Sequence, residues 1–225
     1  MKHAVDKAHK AQVLLVDDHP IVREQLGHLI AQQSDLAVCG ECEDGPQCLQ
    51  MLHQKRPDLV IMDLSLKNSH GLELIKDIKA HDPEMRVLVL SMHEESVFAE
   101  RALRAGAQGY VTKQESTDVI MTAIRRVLAD ELFLSERMAT QLVGLLIRGP
   151  NVATGSLPVN VSDRELEILH MMGNGQNTRQ IAEALKIDVK TVDTYRSRLK
   201  EKLQVETTAE LLQQAIQWVQ RAGKR

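Results

Sequence analysis

Polar side chains that could do chemistry follow four apolar runs of this sequence. They are Asp17 and Asp18 after run 12–16, Asp63 after run 60–62, Ser91 after run 87–90, and Lys113 after run 109–112. Apolar runs of this length are typical of fully buried strands, and open α/β sheets carry their sites at the carboxyl ends of parallel strands. We therefore expect three carboxylates, a hydroxyl and an ammonium group to meet in one pocket.

Clustered carboxylates repel one another unless a cation lies between them. Mg²⁺ is the cation that best fits oxygen ligands with several retained waters. The ammonium of Lys113 and the hydroxyl of Ser91 would then hold the oxygens of a phosphoryl group. Asp63 stands alone at the end of the central run, so we expect it to be the reactive carboxylate.

The elements that position these groups alternate between strand and helix five times. Predicted strands cover 12–16, 37–41, 59–62, 87–90 and the Tyr110 segment, and amphipathic or capped segments between and after them predict helices. This alternation predicts an α/β fold with a doubly wound, five-stranded parallel sheet of the flavodoxin type.

The order of these residues closely resembles the receiver domain of bacterial response regulators in two-component signalling. The resemblance covers about residues 10 to 130 and rests on the acidic pair, Asp63, Ser91, the aromatic Tyr110 and Lys113. It implies that a sensor histidine kinase phosphorylates Asp63. Mg²⁺ would be held by Asp17 or Asp18, by Asp63 and by the main-chain carbonyl of Ser65, while Ser91 and Tyr110 would form the conformational switch.

Two further features lie next to the expected pocket. Gln114 follows Lys113, where the wider superfamily usually has proline after a cis peptide bond, so this loop must be either strained or trans. Ser65 and His93 stand two positions after Asp63 and Ser91. In receivers such positions tune how fast water removes the phosphoryl group, whereas we interpret His19 and His93 as rim residues rather than metal ligands.

The rest of the chain predicts a second domain. We expect a receiver domain over 10–131, a linker over 132–157 with a helix at 135–147, and a DNA-binding domain over 158–225. Residues 149–158 are rich in helix breakers and small polar side chains, which is typical of a flexible connection.

The second domain has the pattern of four short helices. Capping boxes at Ser162–Glu165 and Thr207–Glu210 start the first and fourth, and Asp188 is the expected cap of the third. A short turn between the second and third helices predicts a helix-turn-helix. The third helix has an apolar stripe at Val192, Leu199 and Leu203 opposite a polar face. Such a face is equally typical of a solvated helix.

Residues 162–219 resemble the LuxR-type helix-turn-helix of response regulators of the NarL/FixJ group. The matching residues are Ser162, Arg164, Glu165, Leu169, Gly175, Ile181, Ala182, Leu185, Ile187, Thr191, Val192, Lys202, Leu203 and Val205. The resemblance implies that the third helix enters the major groove of double-stranded DNA. The expected contacts are Lys190, Asp193, Thr194 and Ser197 near bases or phosphates, and Arg179, Arg196, Arg198 and Lys200 near the backbone.

Some residues differ from the common LuxR-type pattern. Thr178, Asp193 and Tyr195 stand where asparagine, lysine and histidine are frequent. Asp193 could accept a hydrogen bond from cytosine N4, which would alter the sequence that is read. Leu212, Ile216 and Trp218 on the fourth helix are a candidate face for a homodimer formed on activation, although Leu212 and Ile216 fit a core equally well.

Composition and cysteine usage favour a cytoplasmic protein. The net charge of −3 gives no global attraction to nucleic acid, but residues 151–225 carry more basic than acidic side chains. Three cysteines fit neither a disulfide framework nor a zinc pattern, and no segment resembles a membrane span or signal peptide. We therefore expect reduced thiols, a cytoplasmic location and no membrane partner.

Three other functions fit part of the pattern. A flavin-binding module is disfavoured because the carboxylates would repel the flavin phosphate. An enzyme with Asp63 as nucleophile is disfavoured because no substrate pocket or dedicated acid is evident, so we expect no enzyme activity. The remaining alternative is a DNA-binding regulator that is controlled independently of phosphorylation.

Overall fold

The computed structural model describes residues 10–66, 69–93, 95–148 and 161–223. Two compact units make up the chain, and the division between them falls between Ser135 and Glu136. The predicted linker at 149–158 lies outside the described residues.

Five parallel strands form the sheet of the first unit. They are β1 Ala11–Val16, β2 Leu36–Cys42, β3 Leu59–Met62, β4 Arg86–Ser91 and β5 Gly109–Thr112. Their order in the sheet is β2-β1-β3-β4-β5, so the direction of winding reverses between β1 and β3. Ligands bind at such a reversal point in doubly wound folds. The predicted fold class is confirmed.

Five helices accompany these strands. They are α1 Pro20–Ala31, α2 Gly45–Lys55, α3 Gly71–His81, α4 Glu95–Ala105 and α5 Thr117–Leu128. Alternate residues of the strands, such as Val13 and Leu15, join Ile30 of α1 and Ile124 of α5 in one core cluster. All four residues of β3 are buried, as expected for a strand covered on both faces.

A hairpin of two-residue strands begins at Ser65, two positions after Asp63, and was not predicted. Ser65–Leu66 pairs antiparallel with Ser69–His70, and α3 begins at the next residue, Gly71. The Gly71 N–H donates to Leu64 O over 3.1 Å. A Cβ atom at Gly71 would overlap the backbone of Leu64, so only glycine allows this close approach.

The second unit is helical. Its helices are α6 Glu136–Arg148, α7 Asp163–Gly173, α8 Thr178–Ala184, α9 Val189–Leu203 and α10 Thr208–Gly223. Its core includes Leu169 of α7, Ile181 of α8, Val192 of α9 and Leu211 of α10, each at most 1% exposed. Leu203, predicted to face inward, is only half-buried.

Helix caps in the second unit match the sequence in part. The predicted boxes form: Ser162 N donates to Glu165 Oε2 over 2.7 Å, and Thr207 N donates to Glu210 Oε2 over 3.0 Å. Asp188 occupies the N-cap position of α9, but the prediction of a side-chain cap there is wrong, because no side-chain hydrogen bond caps the helix. An unpredicted box starts α8, where Asn177 Oδ1 accepts from Gln180 N over 3.0 Å.

Helices α7 and α10 approach each other closely at Gly173. A Cβ atom at this position would lie 2.5 Å from Ala215 O and 2.5 Å from Val219 Cγ2. Nearby, Trp218 of α10 lies edge-on to His170 of α7, with ring centroids 6.2 Å apart. The close approach at Gly173 and the contact between these two rings are two points at which the helices meet.

Candidate functional sites

The carboxyl edge of the sheet gathers the polar groups that end β1, β3, β4 and β5. Backbone hydrogen bonds fix their positions: Asp63 N donates to Val16 O over 2.9 Å, and Lys113 N donates to Ser91 O over 2.8 Å. Both bonds continue the pairing of neighbouring strands. The side chains of Asp63, Ser91 and Lys113 therefore meet at the reversal point of the sheet.

The Asp63 carboxylate is buried and accepts three hydrogen bonds. Oδ1 accepts from the Leu64 N–H over 2.6 Å and from Ser91 Oγ over 2.6 Å. Oδ2 accepts from Lys113 Nζ over 2.7 Å. The acceptor that the sequence predicts is thus contacted by both of the groups predicted to hold phosphoryl oxygens.

Lys113 joins two of the predicted acidic residues. Its ammonium lies 2.6 Å from Asp17 Oδ2 and 2.7 Å from Asp63 Oδ2, and the lysine side chain is 8% exposed. Burial alone would lower the pKa of Lys113. The charges and hydrogen bonds of Asp63 and Asp17 outweigh burial, and the pKa is raised. The lysine is therefore cationic at neutral pH.

Lys113 reaches the pocket without a cis peptide. The described residues contain no cis peptide bond, so the Lys113–Gln114 bond is trans. Of the two alternatives that Gln114 left open, the structure has the trans loop.

The acidic pair lies beside His19. Nδ1 of His19 is 3.2 Å from Asp17 Oδ1 and 2.7 Å from Asp18 Oδ1, and both aspartate side chains are buried. Potential ligand atoms of these three residues lie within 4.8 Å of one another, the only such group among the described residues. Two buried carboxylates with Asp63 nearby are a suitable donor set for a hard divalent cation.

The residues that flank the acceptor contact each other, which the sequence did not indicate. Ser65 Oγ and His93 Nε2 are 2.7 Å apart. Tyr110 is 1% exposed and its hydroxyl donates to His93 O over 2.9 Å, so its side chain is directed inward. The His93 ring also lies 4.6 Å from the Phe98 ring on α4.

Most residues of the predicted DNA contacts are exposed on α8 and α9. The exposed ones are Arg179, Lys190, Asp193, Thr194, Ser197 and Arg198, whereas Arg196 and Lys200 are half-buried. Nη1 of Arg196 donates to Thr178 Oγ1 over 2.6 Å and lies 3.4 Å from Asp193 Oδ1. Arg196 thereby connects the two helices of the helix-turn-helix.

An ion pair between a buried glutamate and a half-buried lysine in the second unit was not predicted from the sequence. Lys202 Nζ on α9 lies 2.7 Å from Glu165 Oε2 on α7, and the Glu165 side chain is 2% exposed. Burial acts to raise the pKa of Glu165. The hydrogen bonds from Lys202 and Ser162 outweigh this effect and hold the pKa below its usual value. The capping box indicated one partner of Glu165, but no spacing rule indicates the other.

Comparison with known proteins identifies both units. Residues 13–125 match the family of response regulator receiver domains, and residues 159–215 match the LuxR family of bacterial regulatory proteins. The chain is 38% identical over 205 residues to the transcriptional activator protein ExaE of Pseudomonas putida, covering 91% of this chain and 95% of that protein. This chain is a response regulator. Response regulator GacA of Pseudomonas aeruginosa is 33% identical over 206 residues, with the same coverage.

Solved structures of response regulators resemble this regulator too. A LuxR-family response regulator from Aurantimonas sp. SI85-9A1 is 36% identical, with a TM-score of 0.57 over 62% of this chain and 99% of that one. RcsB of Salmonella enterica serovar Typhimurium, bound to promoter P1flhDC in the presence of phosphomimetic BeF3⁻, is 26% identical, with a TM-score of 0.60 over 92% of this chain and 98% of that one.

The regulator belongs to two-component signalling and acts in transcription rather than as an enzyme. Among its described residues, no helix has both the length and the apolar character needed to cross a membrane.

Proposed function

We propose that Asp63 accepts a phosphoryl group from a sensor histidine kinase and that this controls sequence-specific DNA binding by α9. One observation carries the proposal: a buried carboxylate accepts bonds from Leu64 N, Ser91 Oγ and Lys113 Nζ at distances of 2.6 to 2.7 Å. These contacts also stabilise the fold, but all three groups lie at the carboxyl edge of a parallel sheet, where doubly wound folds bind ligands. A phosphoryl acceptor needs both the ammonium and the hydroxyl.

The transfer requires only positioning and charge neutralisation from the protein. An oxygen of Asp63 bonds to phosphorus while the bond from phosphorus to the kinase histidine nitrogen breaks, and that nitrogen keeps the electron pair. Lys113 neutralises negative charge on the transferred phosphoryl group. The hydroxyl of Ser91 donates a hydrogen bond to an oxygen of that group. The protein itself performs little covalent chemistry. It lowers the barrier by holding the aspartate and the phosphoryl donor in line.

Magnesium fits the donor set and is the proposed cofactor. Asp17 or Asp18, Asp63 and the main-chain carbonyl of Ser65 would hold it. Bound Mg²⁺ supplies positive charge to phosphoryl oxygens. We assign His19 no ligand role, since Mg²⁺ prefers oxygen donors. Its ring instead contacts both carboxylates of the acidic pair and orients them.

The proposed switch runs from Ser91 to Tyr110. When Ser91 bonds a phosphoryl oxygen, it leaves its 2.6 Å bond to Asp63 Oδ1, and the loop that contains His93 shifts with it. That loop carries the carbonyl that accepts the Tyr110 hydroxyl. The phosphoryl group thereby changes the population of two packings of α4 and β5.

Exposed residues of α8 and α9 form the proposed DNA-binding surface. Lys190, Asp193, Thr194 and Ser197 would read bases or contact phosphates, and Arg179, Arg196, Arg198 and Lys200 would hold the backbone. Leu212 and Ile216 on α10 are 39% and 36% exposed, whereas Leu211 and Ala215 fill the core. The exposure of Leu212 and Ile216 supports the proposal that they and Trp218 form the homodimer contact on a two-fold repeated operator.

The domain division that accompanies this function is also a proposal. The receiver would cover 10–131, the linker 132–157 and the DNA-binding domain 158–225. We expect the protein to act in the cytoplasm, where a kinase and DNA are both accessible.

A matched pair of variants tests the proposal. Wild type, Asp63→Asn and the exposed control Asp77→Asn are incubated with Mg²⁺ and acetyl phosphate, and intact mass is measured. Sedimentation with beryllofluoride and binding to a mixed-sequence DNA pool follow. We expect only wild type and Asp77→Asn to gain the mass of one phosphoryl group. With beryllofluoride, only these two proteins should sediment at a higher mass and bind DNA more tightly. Equal DNA binding by all three proteins, unchanged by beryllofluoride, would instead support a regulator controlled independently of phosphorylation.

A further inference from the structure

Val189 is an apolar residue exposed at the start of the proposed DNA-reading helix. It is the first residue of α9 and 42% exposed, and it is the one large hydrophobic residue of α9 that is exposed. The other exposed large hydrophobic residues among the described parts of the chain lie outside α9. A single exposed valine needs no explanation on an ordinary surface. On a helix that is proposed to read base edges, an exposed apolar side chain at this position can contact an apolar group of a base.

The first turn of α9 holds Val189 in a fixed place. The Asp188 carbonyl accepts from Thr191 N over 2.9 Å and from Val192 N over 3.2 Å, so the helix is regular from its first residue. Val192 is fully buried and anchors the inward side of this turn. Val189 shares the outward side with Asp193, one turn further along, because residues four apart lie on the same face of a helix.

The side chain of Val189 is also pre-ordered. A β-branched residue in a helix occupies essentially one χ1 rotamer, so a contact through its methyl groups costs little conformational entropy. Long side chains such as Lys190 must be ordered at a larger entropic cost. Val189 is therefore suited to a short-range apolar contact whose position is fixed by the backbone.

One group on the major-groove edge of DNA is apolar: the C5-methyl group of thymine. The N-terminal residues of a recognition helix are the ones that reach base edges. We propose that Val189 is a specificity-determining residue that contacts a thymine methyl group in each half-site of the operator. This inference rests on the proposed DNA binding and adds a residue and a base to it.

A protein and DNA double-substitution experiment tests the contact. Selection from a random pool with the beryllofluoride-activated, full-length chain first defines the preferred site. Each thymine of that site is then replaced by deoxyuridine, which removes only the methyl group. Kd values are measured for wild type, Val189→Ala and Val143→Ala. Val143 is 54% exposed on α6 and provides an identical truncation away from α9.

At one thymine per half-site, we expect deoxyuridine to weaken wild-type binding by about fourfold, the effect of about one buried methyl-sized group. Val189→Ala should bind the thymine site about as weakly and should be insensitive to deoxyuridine at that position. Val143→Ala should behave as wild type does. If the effects of Val189→Ala and of deoxyuridine on Kd are not additive at one thymine only, the valine side chain and that methyl group are in contact.

Two results would overturn the inference alone. One is an equal penalty for deoxyuridine in wild type and Val189→Ala at every thymine, and the other is a selected site without a preferred thymine. Failure of activated wild type to select any sequence would instead contradict the proposed function itself.

Discussion

Ser65 Oγ lies 2.7 Å from His93 Nε2, although 28 positions separate the two residues. The contact joins the hairpin after Asp63 to the loop after Ser91. Both residues stand two positions beyond groups that would contact the phosphoryl group. Any influence of one on phosphoryl lifetime should therefore depend on the other.

Apolar replacement of this pair should prolong the phosphorylated state. Ser65→Ala with His93→Phe removes two polar groups that can orient an attacking water molecule, and we expect phosphoryl lifetime to increase about two- to tenfold, a typical size for coupled polar groups. The measurement is loss of phosphoryl mass over time in all single and double variants. His53→Phe, an exposed histidine on α2, is the control. An unchanged lifetime in the double variant would contradict this role.

Loss of Lys113 should destabilise the receiver more than loss of an exposed lysine. Lys113→Met leaves Asp17 and Asp63 without their shared ammonium, and removing one partner of a buried pair costs about 3–5 kcal/mol. Lys76→Met removes the exposed pair with Glu73, worth about 1 kcal/mol or less. Urea unfolding followed by circular dichroism measures both. We expect Mg²⁺ to restore part of the loss in Lys113→Met, and equal stability of the two variants would argue against a buried charge cluster.

Acid should weaken the DNA-binding unit through Glu165. In the folded protein, the pKa of Glu165 is lower than its ordinary value of 4.5. A depressed carboxyl pKa contributes stability that is present above the unfolded pKa, and this stability is lost as pH falls through the folded pKa. The single tryptophan, Trp218, lies in this unit, so its fluorescence reports unfolding there.

As the pH falls below the usual pKa of a glutamate, wild type should therefore lose more stability than Lys202→Met, in which the partner that lowers this pKa is absent. Lys200→Met, two residues away, should follow the wild-type profile. Parallel pH profiles for wild type and Lys202→Met would show that the ion pair contributes little.

Two cap positions provide an internal comparison. Asn177→Ala removes an oxygen that accepts from both Arg179 N and Gln180 N, and we expect a loss of about 1 kcal/mol in the free energy of unfolding. Asp188→Ala should cost clearly less, since its side chain makes no cap bond. Urea unfolding monitored by Trp218 distinguishes them. The reverse order would mean that Asp188 stabilises α9 more than Asn177 stabilises α8.

The two faces of α10 should separate folding from assembly. Leu212→Gln with Ile216→Gln alters exposed side chains, so the unit should stay folded while dimerisation on DNA weakens. Leu211→Ala removes a fully buried side chain and should cost about 2–5 kcal/mol. Sedimentation with operator DNA and urea unfolding are the two measurements. Undiminished dimerisation of the double glutamine variant would exclude this face.

The sequence predicts the receiver well because its signals are local and mutually consistent. The residues of β3 are all apolar and all buried, and a polar group follows each strand that ends at the site. Contacts between distant residues carry no such signal. The Ser65–His93 bond and the Glu165–Lys202 pair depend on loop and helix placement, which periodicity does not encode.

Cap chemistry shows the same limit on a smaller scale. Asp188 has the right type and position for a cap, yet its side chain does not bond to the helix. Asn177, which follows Gly175 and Gln176 in a polar stretch, forms a complete box instead. Residue type indicates where a helix starts, whereas the rotamer that completes the cap depends on the surrounding turn.

The close approach at Gly173 has a consequence for assembly. Because Gly173 of α7 lies against Ala215 and Val219 of α10, a side chain at this position has no room. A methyl group at this position would push α10 away and tilt the surface that carries Leu212 and Ile216. In the proposed dimer, the two copies of α9 would then lie at the wrong spacing for successive turns of DNA, even with every proposed base-contacting residue intact.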